Sequence, residues 1–397
     1  MTELTPTLAP LDDPRWALLE REDDAAEIIA APVRTYWQDV RARLAQNKPA
    51  MAGLIFIILL VLAAIFGPML SPHSYRAQNL SLANLPPILK TTEVGGAEER
   101  QLVFVNTGNL NLYGVDEGGH VTGLLPGGRK DMINRQTIWQ VGGAEVVLDY
   151  SSLPPVLAQE GGPGLSPGPT KWNRTYLFGT DQLGRDVLVR QLYGARISLM
   201  VAFVATLVNF VIGVTYGGLS GYLGGKVDLV MMRIVEIIST IPLTLYVILM
   251  MVVLQSGLIS VMLAIGTVFW VDMARIVRGQ ILTLKSQDYV AAARTMGAPT
   301  RWIMAKHLLP NTIGPILVTA TMLIPSAIFI ESFMSFIGLG VTPPQASWGT
   351  LTSDAVETLR RYPHQLFFPA TAISLTMFAF NFLGDGLRDA LDPRLRQ

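Results

Sequence analysis

Asp288-Tyr289-Val290-Ala291-Ala292-Ala293-Arg294-Thr295-Met296-Gly297-Ala298-Pro299-Thr300 is a short segment, basic with its flanks, set between two long apolar runs. Its residue order predicts two short helices with a stop between them. Val290 to Met296 has helical composition, Gly297 supplies the left-handed backbone of a helix end, and Pro299 falls early in a second helix that runs to Leu309, before Pro310. Three adjacent alanines make a low-relief surface that another protein can approach closely. Arg294, Arg301 and Lys306 around it suit an acidic rim. Taken by itself, the segment reads equally as a plain amphipathic connector.

The flanking runs are long enough to cross a bilayer, whose hydrocarbon core of about 30 Å takes about 20 helical residues. Leu308 to Ile330 follows the segment, interrupted by Pro310, Pro315 and Pro325, which a membrane helix tolerates when neighbours satisfy the freed carbonyls. Ile237 to Val271 precedes it without a charged residue, too long for one span. A polar break at Gln255-Ser256-Gly257 divides that run into two helices, the first beginning near Leu229. Further away lie Ile197 to Gly225, Gln365 to Gly384 and, near the start, Met51 to Leu70. Six spans are expected. The first follows a 48-residue stretch and exceeds the roughly 7 to 15 residues of a signal-peptide core, so it reads as a retained anchor.

Composition agrees with a membrane protein. Of 397 residues 50% are hydrophobic and 15% charged, against about 25% charged in soluble domains, and mean hydropathy is +0.39. These figures exclude a disordered chain. Lys plus Arg (30) and Asp plus Glu (30) cancel, which leaves no global basic field for nucleic acid. There is no cysteine, and His73, His120, His307 and His364 are too far apart for a metal motif, so no metal site and no cofactor bound by this chain are expected.

Basic residues set the orientation. Fifteen fall on one side of the six spans: Arg34, Arg41, Arg43, Lys48, Lys226, Arg233, Arg275, Arg278, Lys285, Arg294, Arg301, Lys306, Arg388, Arg394 and Arg396. The short loops on the other side hold Arg360 and Arg361. Both termini are therefore expected in the cytoplasm, and the chain divides into a tail (1–48) that begins acidic, a first span (49–70), an external insertion (71–178) and a five-helix core (179–397) carrying a cytoplasmic loop (278–312). In the insertion, alternation at Leu102 to Val105, Asn109 to Val115, Thr137 to Val141 and Glu145 to Tyr150 predicts short strands, and Gly161 to Pro169 a linker. So small a unit is marginal for a core of its own. It is expected to offer a docking or gating surface.

The loop resembles that of bacterial ABC-importer permeases, in which E-A-A, three residues, Gly, nine residues and I-x-L-P recur. Ala292 and Ala293 take the alanine places, Gly297 the glycine, and Leu309 and Pro310 the final pair; Ala291 stands where the pattern has Glu, and His307 where it has Ile. The first departure removes an acidic contact. Phe178 to Leu188 with Tyr193 to Leu199, Glu331 to Gly340 with Pro343-Pro344 and Ser347-Trp348-Gly349, and the tail Gly384 to Arg394 resemble dipeptide and oligopeptide permeases of the C-subunit type. The stretch from about 80 to 175 matches nothing in that pattern.

The resemblance implies an all-α membrane protein of the type I ABC-importer permease architecture with a β-rich insertion. It further implies that Ala291, Ala292, Ala293, Arg294, Gly297, Arg301, Leu309 and Pro310 form the loop that couples to a cytoplasmic ATPase. Implied partners are a homologous second permease, two cytoplasmic ATPase subunits that hold ATP and magnesium, and an extracytoplasmic peptide-binding protein, with this chain in a bacterial inner membrane. The chain itself lacks a G-x-x-x-x-G-K-[ST] phosphate loop: around Gly224-Gly225-Lys226-Val227, Ser220 replaces the first glycine and Val227 the hydroxyl.

Within the spans Glu331 is the candidate pathway or structural charge, while Arg233 with Glu236 and Asp272 with Arg275 read as i,i+3 pairs. A permease for nickel chelates or another small solute is the close alternative, since these motifs report machinery rather than cargo. An ion-driven secondary transporter would require inverted repeats with broken helices, and the two halves show no such repeat. A membrane enzyme would require a catalytic constellation, which the sequence does not supply.

Overall fold

The computed structural model describes residues 35–95, 100–152, 154–159, 165, 168–255 and 257–392. The acidic tail up to Arg34, most of the linker from Gly161, Ser256 of the polar break, and Pro393 to Arg396 lie outside the described residues.

Eleven helices and nine strands follow one another among the described residues. A short helix α1 (Tyr36–Gln46) leads into α2 (Lys48–Leu70), whose start is capped by the Asn47 side chain accepting the Ala50 N–H at 3.1 Å. α2 packs along α11 (His364–Leu391) at two glycines: Gly53 meets the Ala379 backbone and Gly386 meets Ala50. α3 (Val187–Leu223) is the central helix. Its Gly213, Gly217 and Gly221, four residues apart, form a groove into which α6 (Leu258–Leu284) seats Met273, Ala274 and Ile281. Without a hydrophobic drive between helices in lipid, such close approach of small residues supplies the attraction. α9 (Leu309–Phe336) completes this core with Ile316, Ala327 and Ile328.

Five helices are long and apolar enough to cross a membrane, and the pair α4 (Gly225–Thr240) and α5 (Leu243–Leu254) makes a sixth when counted as one span. The third span, expected as one helix from near Leu229, is instead bent by 85°. Ile241, between the two, has extended backbone (φ −79°, ψ 125°). The ring of Pro242 disfavours the helical region for the residue before it, and here the helix stops.

The insertion is a two-sheet β unit. The first sheet has the order β4-β3-β2-β1-β9, built from β1 (Ile88–Gly95), β2 (Arg100–Asn106), β3 (Asn111–Val115), β4 (Val121–Leu124) and β9 (Thr170–Trp172). The second has the order β5-β6-β7-β8, from β5 (Arg129–Asp131), β6 (Gln136–Val141), β7 (Ala144–Asp149) and β8 (Val156–Gln159). All pairings are antiparallel. Because successive side chains point to opposite faces, Val103 and Leu112 join Trp139, Val146 and Leu148 in one cluster while their neighbours Phe104 and Tyr113 join Leu85 and Leu89 in another. The four strand expectations fall on β2, β3, β6 and β7. The unit has a buried core of its own, which its size alone made doubtful.

Candidate functional site

The segment between the fourth and fifth spans folds as α7 (Asp288–Thr295), a left-handed turn, and α8 (Thr300–Ile303). α7 ends in a Schellman arrangement: the Gly297 N–H donates to Arg294 O at 3.0 Å and the Ala298 N–H to Ala293 O at 3.1 Å. Gly297 has φ +79°, and nothing lies within 4 Å of where its Cβ would be. The helix after Pro299 does not stop before Pro310. It passes through a π turn (Met304–Leu308) directly into α9, with the Leu309 N–H donating to Met304 O. Pro310 lies in the first turn of α9, and the widened turn carries the helix past a residue that has no N–H to give.

Val290, Ala293, Ile303 and Leu308 are buried in the main core, so one face of the loop is anchored to the spans. Ala291 and Ala292 are exposed, and the three alanines therefore do not share one face. Arg294 and Arg301 are exposed, the former with its guanidinium 5.8 Å from the Tyr222 ring centre. Leu309 is half-buried and Pro310 exposed. Residues that sequence reasoning passed over share the outward side: Tyr289, Met296 and Trp302 are exposed, and the His307 ring packs against Tyr289 (5.9 Å) and Trp302 (4.8 Å). Large apolar side chains exposed in a short basic loop were the signal available for them. Together the outward side is apolar with a basic rim.

The loop stands on a charged junction of three spans. Arg278 of α6 donates from Nε and Nη2 to Asp228 of α4 at 2.5 and 2.6 Å, and the Ser220 hydroxyl of α3 donates to the same carboxylate at 2.5 Å. Lys285 Nζ donates to Gly221 O at 2.7 Å, satisfying a carbonyl that the end of α3 leaves free. In sequence Arg278 and Lys285 registered only as part of the basic count, and Asp228 not at all.

At the opposite end of the spans, the Phe178 to Leu188 stretch is a tight turn. Asp181 accepts the N–H groups of Leu183 and Arg185 at 2.9 Å and pairs with Arg185 (2.7 Å) and buried Arg190, while Asp186 caps α3. Asp354 of α10 (Trp348–Val356) lies 3.5 Å from Arg190. A cavity of about 670 Å³ opens beside these groups, floored by Ser335 and walled by the Gly338 to Gln345 loop. Glu331 does not open into it. It is fully buried, accepting hydrogen bonds from Ser198 and Ser335 at 2.9 Å each, and no basic side chain pairs with it among the described residues. The insertion is tied to this end: Gln365 Nε2 donates to Asn84 Oδ1 and to Thr180 O at 2.9 Å, and Tyr362 OH to Asn106 Oδ1 at 3.2 Å. Arg233 with Glu236 (2.7 Å) and Asp272 with Arg275 (3.7 Å) form the two i,i+3 pairs.

Residues 213–397 match the family described as binding-protein-dependent transport system inner membrane component, and residues 35–87 match the N-terminal TM domain of oligopeptide transport permease C. The chain is 40% identical over 384 residues to the dipeptide transport system permease protein DppC of Bacillus subtilis, covering 96% of this chain and 93% of that protein. It is 39% identical to the oligopeptide transport system permease protein OppC of the same organism, covering 94% of each. A match over 96% of the chain takes in most of the insertion, for which no counterpart was expected. Among solved structures, an inward-facing form of the MetNI methionine ABC transporter is similar at 20% identity and a TM-score of 0.40, covering 50% of this chain and 95% of that one. The chain thus belongs to the binding-protein-dependent transport system inner membrane components: it is a multi-pass inner-membrane transport permease, not an enzyme, and separate ATPase subunits hydrolyse the ATP.

Proposed function

We propose that this chain forms half of the membrane pathway of an ATP-driven importer of di- and oligopeptides. A second, homologous permease supplies the other half, and an extracytoplasmic binding protein delivers the peptide. ATP and magnesium are held by two partner ATPases. The observation that carries the coupling role is the α7–α8 loop, anchored through Val290, Ala293, Ile303 and Leu308 while Ala291, Ala292, Arg294, Gly297, Arg301 and their aromatic neighbours face outward. An apolar patch with a basic rim suits a groove with acidic edges. The fifteen basic residues named above support cytoplasmic termini, and that orientation puts the insertion outside the cell. Glu331, sealed among serines, serves as a structural charge in this reading. Peptide is the cargo favoured by the DppC and OppC relatives.

The test is to purify the assembled complex through a tag on this chain, reconstitute it in proteoliposomes with the binding protein, and follow labelled peptide and nickel chelate. ATP-dependent peptide uptake is expected. Uptake of the chelate alone would replace the cargo, and uptake driven by an ion gradient without ATP would sink the reading altogether.

A further inference from the structure

We propose that a polar stripe on α4 and α6 lines the water-filled cytoplasmic half of the pathway and receives the charged ends of a zwitterionic peptide. This deepens the importer reading and rests on it. α4 presents three faces about a third of a turn apart, given about 100° per residue. Val235 packs inward against Trp270 and Ala274. Val227, Val230, Ile234 and Ile237 form an exposed apolar stripe that suits lipid. Arg233, Glu236, Ser239 and Thr240 form the third, also exposed, with Leu229 on the same side one turn before Arg233.

α6 continues that third face. Its exposed pair Asp272 and Arg275 is followed by Gly279, which has open space beside it, and by exposed Thr283. Arg275 Nη2 donates to Ser239 Oγ at 2.6 Å, joining the two stripes.

Depth makes these charges informative. At about 1.5 Å per residue, Asp272 and Arg275 lie about 21 and 26 Å along α6 from Leu258, toward the cytoplasmic end of a span that crosses a hydrocarbon core of about 30 Å. Charges at such depth face a bundle interior or a water-filled cavity. The chain's own interior is not what covers them: their side chains keep 69% (Arg233), 58% (Glu236), 66% (Asp272) and 44% (Arg275) of their surface. A dry contact with another subunit would strip water from both pairs, a cost that their mutual attraction seldom recovers. Water in a pathway removes that cost. Exposed pairs are also weak, so a peptide ammonium can exchange onto Glu236 or Asp272 and a carboxylate onto Arg233 or Arg275. Gly279 adds no side chain to this face, and nothing lies within 4 Å of where its Cβ would be.

The chain has no native cysteine, so single cysteines report cleanly. In the complete transporter, Ser239→Cys and Gly279→Cys are expected to react with a water-soluble maleimide about tenfold faster than Ile237→Cys, since a thiol held in hydrocarbon stays protonated and inert. A transported tripeptide should slow the first two. Equal rates at all three positions would show a face open to headgroups, and silence at Ser239→Cys and Gly279→Cys would show a dry interface; either overturns the proposal. Arg275→Gln should slow uptake of the free tripeptide several-fold and narrow its advantage over the C-terminal amide. An unchanged ratio overturns the recognition of peptide ends. A labelling contrast without any peptide uptake would sink the peptide cargo and leave the pathway assignment standing, whereas peptide uptake without the contrast would sink this inference alone.

Discussion

Gly297 and Glu331 show how single positions act through opposite physics. Gly297 sits at φ +79° with open space where a Cβ would be, so the obstacle to substitution is backbone strain rather than collision. A β-branched side chain there costs about 1–3 kcal/mol and displaces the turn between α7 and α8. Gly297→Val is expected to leave membrane insertion intact while abolishing substrate-stimulated ATP hydrolysis, measured on the reconstituted complex; undiminished stimulation would reject the coupling role. Glu331 accepts from the two hydroxyls of Ser198 and Ser335 in a buried node, in which Ser347 donates to Ser335 at 3.3 Å and the Trp348 N–H to Ser198 at 3.2 Å. Glu331→Leu strands those hydroxyls at about 1–3 kcal/mol each, so thermal unfolding in detergent should fall by several degrees. Glu331→Gln keeps an acceptor and should fall less. Equal losses in the two variants would point to packing, not hydrogen bonding, as what the site supplies.

Among elements, the Ser220, Asp228 and Arg278 junction ties the end of α3, the start of α4 and the end of α6 beneath the α7–α8 loop. Hydrogen bonds between charged groups contribute about 1.5–3 kcal/mol each when well formed, and less where water competes. Arg278→Ala should therefore lower both stability and ATPase stimulation. Asp228→Ala in the same chain should add little more, because each single change already breaks the shared pair. Additive losses in that double-mutant cycle would refute the junction. The bend between α4 and α5 was legible in principle at Ile241-Pro242, yet a long uncharged run masks it: hydropathy reports which residues prefer lipid and is blind to the direction the chain takes through it. The π turn before Pro310 escaped for a related reason. A proline signals a break, and only the neighbouring turn shows whether the helix widens around it instead.

For the whole molecule, the β unit begins and ends on adjoining strands, β1 and β9. Thr91 and Pro169 are adjacent there, the Thr91 hydroxyl donating to Pro169 O at 2.6 Å. Joining these two positions and excising 92–168 removes most of the two sheets along with the Asn106 contact to Tyr362 near the start of α11. The excised chain is expected to insert and to bind ATPases but to lose stimulation by the binding protein. Full stimulation and uptake would make the insertion a spacer. Four of nine strands were readable from alternation; the others are three or four residues long or, like β1, lack a clean period, so cross-strand pairing is what defines them.

Five of the six spans, the basic bias and the Gly297 stop were readable in the sequence alone, because transfer into lipid, positive-inside sorting and a left-handed turn each depend on residues within one short stretch. Only the tertiary structure decided which alanine of the loop is buried, that Asp228 meets Arg278, that Glu331 is sealed among serines, and that the charges on α4 and α6 align into one stripe. Those facts join residues from separate helices. Their partners are chosen by how α3, α4, α6, α9 and α10 pack, and no local pattern carries that information.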